Sequence, residues 1–452
     1  MNSFDRIRNV KNKTTYFESI MSKGRKLAAR TLKDIRPEGR QTALTRLKQK
    51  SVSLLTARGQ SSGIQVASEI LDIYKSSNDL DKQGYFTFLL TEFGRDKDEL
   101  ITLSRQYADN PDHKNLKALS AVMEPKRQDL FKRINMAPGG TQALIKMRAD
   151  LLRFLKSSPE LKPVDLDFLL LFKTWFNRGF LTMEPITWSS PARILERLIA
   201  YEAVHEITSW QDLKGRLDPP DRLCYAFFHP NLPDNPLIFV EVALCEDIPA
   251  SIQKILAPGR DVIKDHQAKV ATFYSINNCH RGLKGIYFGN FLIKQVVENL
   301  QVSHPKLKKF VTLSPIPGLM EWLGASGRAA GLGIAAKDME RLQSDDWFED
   351  AAFTKRMEPI MRAAALSYLL DRQPNSHRLH DSVARFHLGN GARIESIQWL
   401  ADTSKNGLEN SSAMMVNYLY VLDQIEANHE AFAVRHDVAL SGAMKSLRVK
   451  TQ

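Results

Sequence analysis

From about residue 60 to 180 apolar residues recur at helical spacing: Ile70, Ile73 and Tyr74, then Leu116, Leu119 and Met123, then Leu144, Ile145, Leu151, Leu152 and Leu155. Asn110-Pro111-Asp112, Pro138-Gly139-Gly140 and Ser157-Ser158-Pro159 punctuate the run with residues that stop helices or build turns. The pattern predicts an all-helical bundle over residues 56–184, with no chemistry of its own. At 183–191 the helical period lapses around Pro185, Trp188 and Pro191, and a domain boundary is expected there. Beyond it, β-type runs at 223–228, 237–244, 270–276 and 310–313 are mostly bounded by Pro, Asn or Gly. Helical patterns such as 291–300 alternate with them, which predicts an α/β or α+β second domain over residues 185–452 and an α+β chain as a whole.

Composition narrows the class. A chain of 452 residues, 43% apolar and 25% charged, has the material for two or three globular domains. No stretch nears the ~18 apolar residues of a membrane span, and the longest candidate, 166–172, contains Asp167. No membrane partner is expected, and no export signal, because Asp5, Arg6 and Arg8 interrupt the first residues. Cys224, Cys245 and Cys279 are too few and scattered for a disulfide framework or a zinc site, so reduced thiols and no metal are expected.

The net charge of +12 is concentrated: the first fifty residues hold fourteen Lys or Arg against Asp5, Glu18, Asp34 and Glu38. This basic arm, residues 1–55, reads as a solvated leader before the first packed helix. Its aromatic residues are sparse, Phe4, Tyr16 and Phe17, so it lacks stacking platforms and no nucleic-acid partner is expected. Organelle targeting and contact with an acidic partner are the sharper readings of the arm; Ser3, Ser19, Ser22 and the interspersed arginines favour targeting, whereas the acidic residues and Lys-heavy composition oppose it, and a cytoplasmic location is expected.

No Walker loop or zinc-protease motif occurs, and Gly59-Gln60-Ser61-Ser62-Gly63 has no strand to deliver its serine, so it reads as a flexible linker. Three other stretches carry possible chemistry. A strand runs through Cys279-His280-Arg281-Gly282-Leu283 into Lys284-Gly285-Ile286-Tyr287-Phe288-Gly289-Asn290, and an amphipathic helix opens at Phe291. Glycines admit a ligand to the backbone and a helix start attracts phosphate, so the loop is either a pyrophosphate cradle or an ordinary turn. In Leu313-Ser314-Pro315-Ile316-Pro317-Gly318 a short strand delivers Ser314 into a turn stiffened by two prolines; a capped strand end is the plain alternative. His387, before the Gly389-Asn390-Gly391 bend, is a candidate for proton transfer among eleven histidines.

Taken together and in order, these blocks resemble the malonyl-CoA decarboxylase family. The resemblance runs through Pro185-Ile186-Thr187-Trp188-Ser189-Ser190-Pro191, Glu202-Ala203-Val204-His205, Phe273-Tyr274-Ser275-Ile276, Gly289-Asn290-Phe291-Leu292-Ile293-Lys294, the Ser314 block, Phe386-His387-Leu388 with Asn390-Gly391-Ala392, and Trp399-Leu400-Ala401-Asp402. It implies a helical domain that makes a homo-oligomer, dimer or tetramer, followed by a CoA-binding domain of the acetyltransferase (GNAT) type. It implies Ser314 and His387 as the catalytic pair, and Lys284, Gly285, Ile286, Tyr287, Phe288, Gly289 and Asn290 as the seat of the CoA pyrophosphate. The substrate would be malonyl-CoA and the products acetyl-CoA and carbon dioxide, with no cofactor beyond the CoA thioester itself. Animal members of the family carry an acidic residue where this chain has Tyr287. Asn290, Tyr418 and Tyr420 are the residues that could stand in for that acid, and Arg281, Asn390, Tyr418 and Tyr420 are candidates to support the pair. Two rival readings remain: an acyltransferase on the same CoA-binding domain, betrayed by acetyl transfer, and a non-enzymatic CoA sensor with a nucleic-acid-binding arm, betrayed by steeply salt-dependent binding.

Overall fold

In the computed structural model, residues 42–56, 60–286, 291–325 and 327–449 are described. Among them, eight α-helices precede the first strand: Ala43–Thr56, Gln60–Ser76, Asp79–Thr91, Lys97–Asp109, His113–Met123, Lys126–Asn135, Gly140–Phe154 and Lys162–Trp175. Asn78, Asp96 and Asp112 each accept a first-turn amide hydrogen at a helix start. Leu47, Ile70, Phe86, Phe131, Leu144 and Phe168 are among the buried side chains of the bundle.

Two expectations need correction here. Residues 43–55, read as part of the basic arm, lie in a packed helix whose Leu47, Ser51 and Leu54 are buried. Their helical spacing was masked by the density of charge around them; the rest of the arm, residues 1–41, lies outside the described residues. Gln60 to Gly63, read as a flexible linker, instead open the helix Gln60–Ser76. By contrast, Lys97–Asp109 and His113–Met123 are helical as expected but bury no side chain, and Ile101, Leu116 and Met123 stay exposed.

One sheet follows, made of β1 (Thr182–Ile186), β2 (Arg222–Phe228), β3 (Ile238–Cys245), β4 (Val270–Asn278), β5 (Lys309–Thr312), β6 (Ser314–Pro315), β7 (Arg393–Gln398) and β8 (Met415–Tyr420). β1 to β4 are successive antiparallel neighbours. β4 and β5 are parallel, joined through the helix Phe291–Ser303. β8 runs antiparallel to β5 and then to β6, with β7 pairing it as well. The chain is thus α+β, a helical part followed by a mixed sheet in which a strand, a loop and a helix lead to a parallel neighbour.

The sheet opens where the site lies. β4 pairs with β5 only from Val270↔Lys309 to Phe273↔Thr312. There the β3–β4 register also shifts, leaving Tyr274 as an extra residue between Phe273 and Ser275. β4 continues to Asn278 beyond the end of that pairing, so a cleft is left between it and the β5–β6 segment.

The two parts share one continuous apolar core, from Leu47 in the first helix to Met444 near the C-terminus. At their seam the Gly282 carbonyl accepts a hydrogen bond from the Arg148 guanidinium at 2.5 Å, and Arg148 also meets Asp165 at 2.9 Å, both side chains buried. A Cβ on Gly282 would lie 1.9 Å from the Ile145 carbonyl oxygen, so only glycine fits. This glycine, expected to admit a ligand, instead admits a helix.

Candidate active site

Thr312 and Ser314 alternate with Leu313 along one extended segment, so their hydroxyls share a face. The Ser314 hydroxyl donates to Thr312 Oγ1 at 2.8 Å, and Thr312 Oγ1 in turn accepts the Tyr418 amide at 3.2 Å. Beyond Ser314 the chain is held rigid: Pro315 pairs with Met415, the Pro317 carbonyl accepts the Tyr368 hydroxyl at 2.7 Å, and Gly318 takes φ 83°.

His387 lies in the helix Ser382–Gly389, which Asp381 caps by accepting the Ala384 amide. Gly391 turns the chain at φ 79°, against the Ile425 carbonyl, where a Cβ would approach to 2.2 Å. The tight bend lets the Ala392 amide bond back to the His387 carbonyl. His387 Nε2 is then 3.1 Å from Ser314 Oγ, across seventy-three residues, and Nδ1 is 2.9 Å from the Tyr420 hydroxyl. The Tyr418 ring stacks on the imidazole with centroids 4.6 Å apart.

Because the single Ser314 proton is given to Thr312, Ser314 Oγ receives the proton of Nε2, and Nδ1 receives that of Tyr420. The geometry thereby selects one neutral tautomer, with its N–H on the side of Ser314. Burial pushes the His387 proton affinity down to about 3, so the ring is uncharged at neutral pH.

Ser314 and His387 line a cavity of about 570 Å³ together with Arg281, Lys284, Gly285 and Ile286. The expected pair and the described half of the expected loop therefore meet in one place. Tyr287, Phe288, Gly289 and Asn290 lie outside the described residues. Tyr418 and Tyr420 support His387 from β8 without lining the cavity, and Asn390 sits buried in the turn that ends the helix. The walls are largely apolar, with Ile238, Val240, Phe273, Val383 and Phe386, while Arg281 and Lys284 are exposed. Among the described residues, no three His, Cys, Asp or Glu gather as metal ligands, and no helix is long and apolar enough to cross a membrane.

Thr312 was missed in the sequence, although its place two residues before Ser314 on a strand was the available signal. A second network also went unread: Glu202 accepts from Ser275 and Asn277 at 2.7 Å each and from the amides of Val204 and His205, strapping that loop across β4.

The malonyl-CoA decarboxylase C-terminal domain profile matches residues 179–452, and the N-terminal domain profile matches residues 93–176. The mitochondrial malonyl-CoA decarboxylase of Mus musculus is 34% identical over 363 residues, 74% of this chain and 73% of that protein. The crystal structure of malonyl-CoA decarboxylase from Rhodopseudomonas palustris superposes with a TM-score of 0.83 at 44% identity, covering 90% of this chain and 100% of the other. That from Agrobacterium vitis does so with a TM-score of 0.83 at 45% identity, over 89% and 99%. The chain belongs to the malonyl-CoA decarboxylase family, a family of carboxy-lyases.

Proposed function

We propose that this chain converts malonyl-CoA to acetyl-CoA and carbon dioxide, with Ser314 and His387 as its catalytic pair. The observation that carries the reading is the 3.1 Å approach of Ser314 Oγ to His387 Nε2 in the cavity that the CoA loop also lines. Loss of carbon dioxide leaves an enolate that needs a proton at carbon. With substrate in the cavity, His387 Nε2–H turns from Ser314 to the enolate carbon and supplies it, while the Ser314 hydroxyl turns its proton from Thr312 to the malonyl carboxylate. A neutral imidazole is a weak acid on its own. The Tyr420 hydroxyl, aligned on Nδ1 at 2.9 Å, passes its proton to the ring as the first one leaves, so that the negative charge rests on the phenolic oxygen, the weaker base, and not on an imidazolate. Solvent then restores the tyrosine, which balances the one proton the reaction consumes. The apolar wall disfavours the carboxylate relative to neutral carbon dioxide.

The loop at 284–290 would seat the CoA pyrophosphate, chiefly on backbone amides before the helix Phe291–Ser303. The thioester is the substrate, and no cofactor enters these steps. Incubating the pure protein with malonyl-CoA should yield equal amounts of acetyl-CoA and carbon dioxide; acetyl transfer to an amine without carbon dioxide release would replace this reading with an acyltransferase. A cytoplasmic location goes with this proposal, and cell fractionation checks it.

The helical part is proposed to assemble the chain into a dimer or tetramer. Its hairpin of Lys97–Asp109 and His113–Met123 offers Ile101, Leu116 and Met123 to solvent, and buries none of its side chains within the chain. Ile101→Glu with Leu116→Glu should lower the assembled mass in light scattering without changing the circular dichroism spectrum. An unchanged mass would move the interface elsewhere.

A further inference from the structure

We infer that His280 binds the pantetheine arm of the CoA substrate, its Nε2 accepting a hydrogen bond from an amide N–H or the hydroxyl of the pantothenate segment. The inference rests on the proposed CoA substrate and adds a residue to its site.

His280 is 9% exposed, lines the same cavity as Ser314 and His387, and its Nε2 has no partner among the described residues. A buried polar atom without a partner is costly, and its presence on a cavity wall points to a ligand that completes it. The ring is held firmly. Its main-chain amide donates to Asn278 Oδ1 at 3.0 Å, and its carbonyl accepts the Leu283 amide. Its face meets the Tyr201 ring with centroids 5.6 Å apart, and Tyr201 is itself tied to Asn235.

The chemistry of the open nitrogen follows from the other one. On its other side the ring faces the Pro236 carbonyl, which raises its proton affinity. A carbonyl only accepts, and Nε2 is unpartnered, so Nδ1 carries the proton and Nε2 presents a lone pair. Burial, together with the charges of Arg197 and Lys146, draws the proton affinity down to about 4, which keeps that lone pair free at neutral pH. The site therefore takes a donor, and phosphate oxygens are not donors.

Position along the substrate selects which donor. Leu313 bonds to Phe273, so Ser314 lies beside that point of β4. From Phe273 to Asn278 the strand advances five residues, roughly 17 Å at a β-strand rise. His280 follows immediately, and Arg281 and Lys284 come next along the cavity. His280 thus sits between the reacting thioester and the loop proposed for the pyrophosphate, which is the stretch an extended pantetheine arm covers.

The test compares malonyl-CoA with the malonyl thioester of N-acetylcysteamine, which lacks the pantothenate hydroxyl, its distal amide and the phosphates. His280→Leu should raise KM for malonyl-CoA about 3- to 10-fold, the usual worth of one neutral hydrogen bond, with kcat and kcat/KM for the truncated thioester unchanged. His280→Gln, which keeps an acceptor, should recover most of the loss. Equal losses on both thioesters, or no loss on malonyl-CoA, would overturn the assignment. If His280→Leu does not fold, His280→Phe, which retains the ring against Tyr201, is read in its place with the same outcomes. A wild-type protein inert toward both thioesters would mean instead that the substrate itself is wrong.

Discussion

His387→Ala is expected to lower malonyl-CoA turnover by about 10²- to 10⁴-fold, the usual worth of a positioned general acid, with CoA affinity nearly unchanged. The imidazole is buried on the cavity wall among Ser314, Tyr418, Tyr420 and Phe386, so its removal should take away the proposed proton donor without disturbing CoA binding at the loop. Ser314→Ala should also slow turnover. Since the two residues are consecutive links of one hydrogen-bond chain from Thr312 to Tyr420, the double variant should fall little below the worse single one. Malonyl-CoA turnover and CoA titration on the four proteins decide the matter. Near-wild-type turnover in His387→Ala would refute the assignment, and multiplying losses would separate the pair into independent groups.

The second large effect is expected far from the reacting atoms. Arg148→Met leaves Asp165 and the Gly282 carbonyl buried without their guanidinium, and breaking a buried pair from one side costs about 3–5 kcal/mol. The lower end of that range fits here, because Lys162 still reaches the other oxygen of Asp165 at 2.6 Å. CoA affinity should fall as well, since the turn that carries Lys284 and Gly285 loses its anchor. Arg148→Lys should rescue little, because one ammonium cannot serve both acceptors in the planar geometry of the guanidinium. Urea unfolding and CoA titration measure both effects. A loss below about 1 kcal/mol would show the seam to be far weaker than a buried pair.

That seam was illegible in the sequence. Arg148 falls in an ordinary amphipathic helix, and Gly282 reads as a loop glycine until Ile145 is found against it. The helical part, expected to be free of any role in the site, supports it. Strands β2 to β5 were readable because they are buried on both faces and so run as continuous apolar stretches. β1, which holds Pro185, sits at the sheet edge, where a missing amide is tolerated; β7, Arg-Ile-Glu-Ser-Ile-Gln, is too polar to announce itself. Ser314 and His387 could each be named from local pattern and family blocks, but their contact depends on β8 and the Gly391 bend. His280 gave no local signal, because its surroundings include Tyr201 and Pro236, which are distant in the chain.

The burial of His387 has a further consequence for acid. Folded, the ring binds a proton only near pH 3; unfolded, it does so near its ordinary 6.5. Between those values the unfolded chain holds more protons, so the stability this group contributes is whole above about pH 6.5 and is lost as the pH falls toward 3. His205 and His280, each lowered to about 4 chiefly by burial, act in the same direction. Acid therefore reaches the His387 ring by way of the fold, before the native imidazole titrates. The acid limb of the activity profile is then a cooperative unfolding curve, steeper than a one-proton titration, and bound CoA shifts it to lower pH.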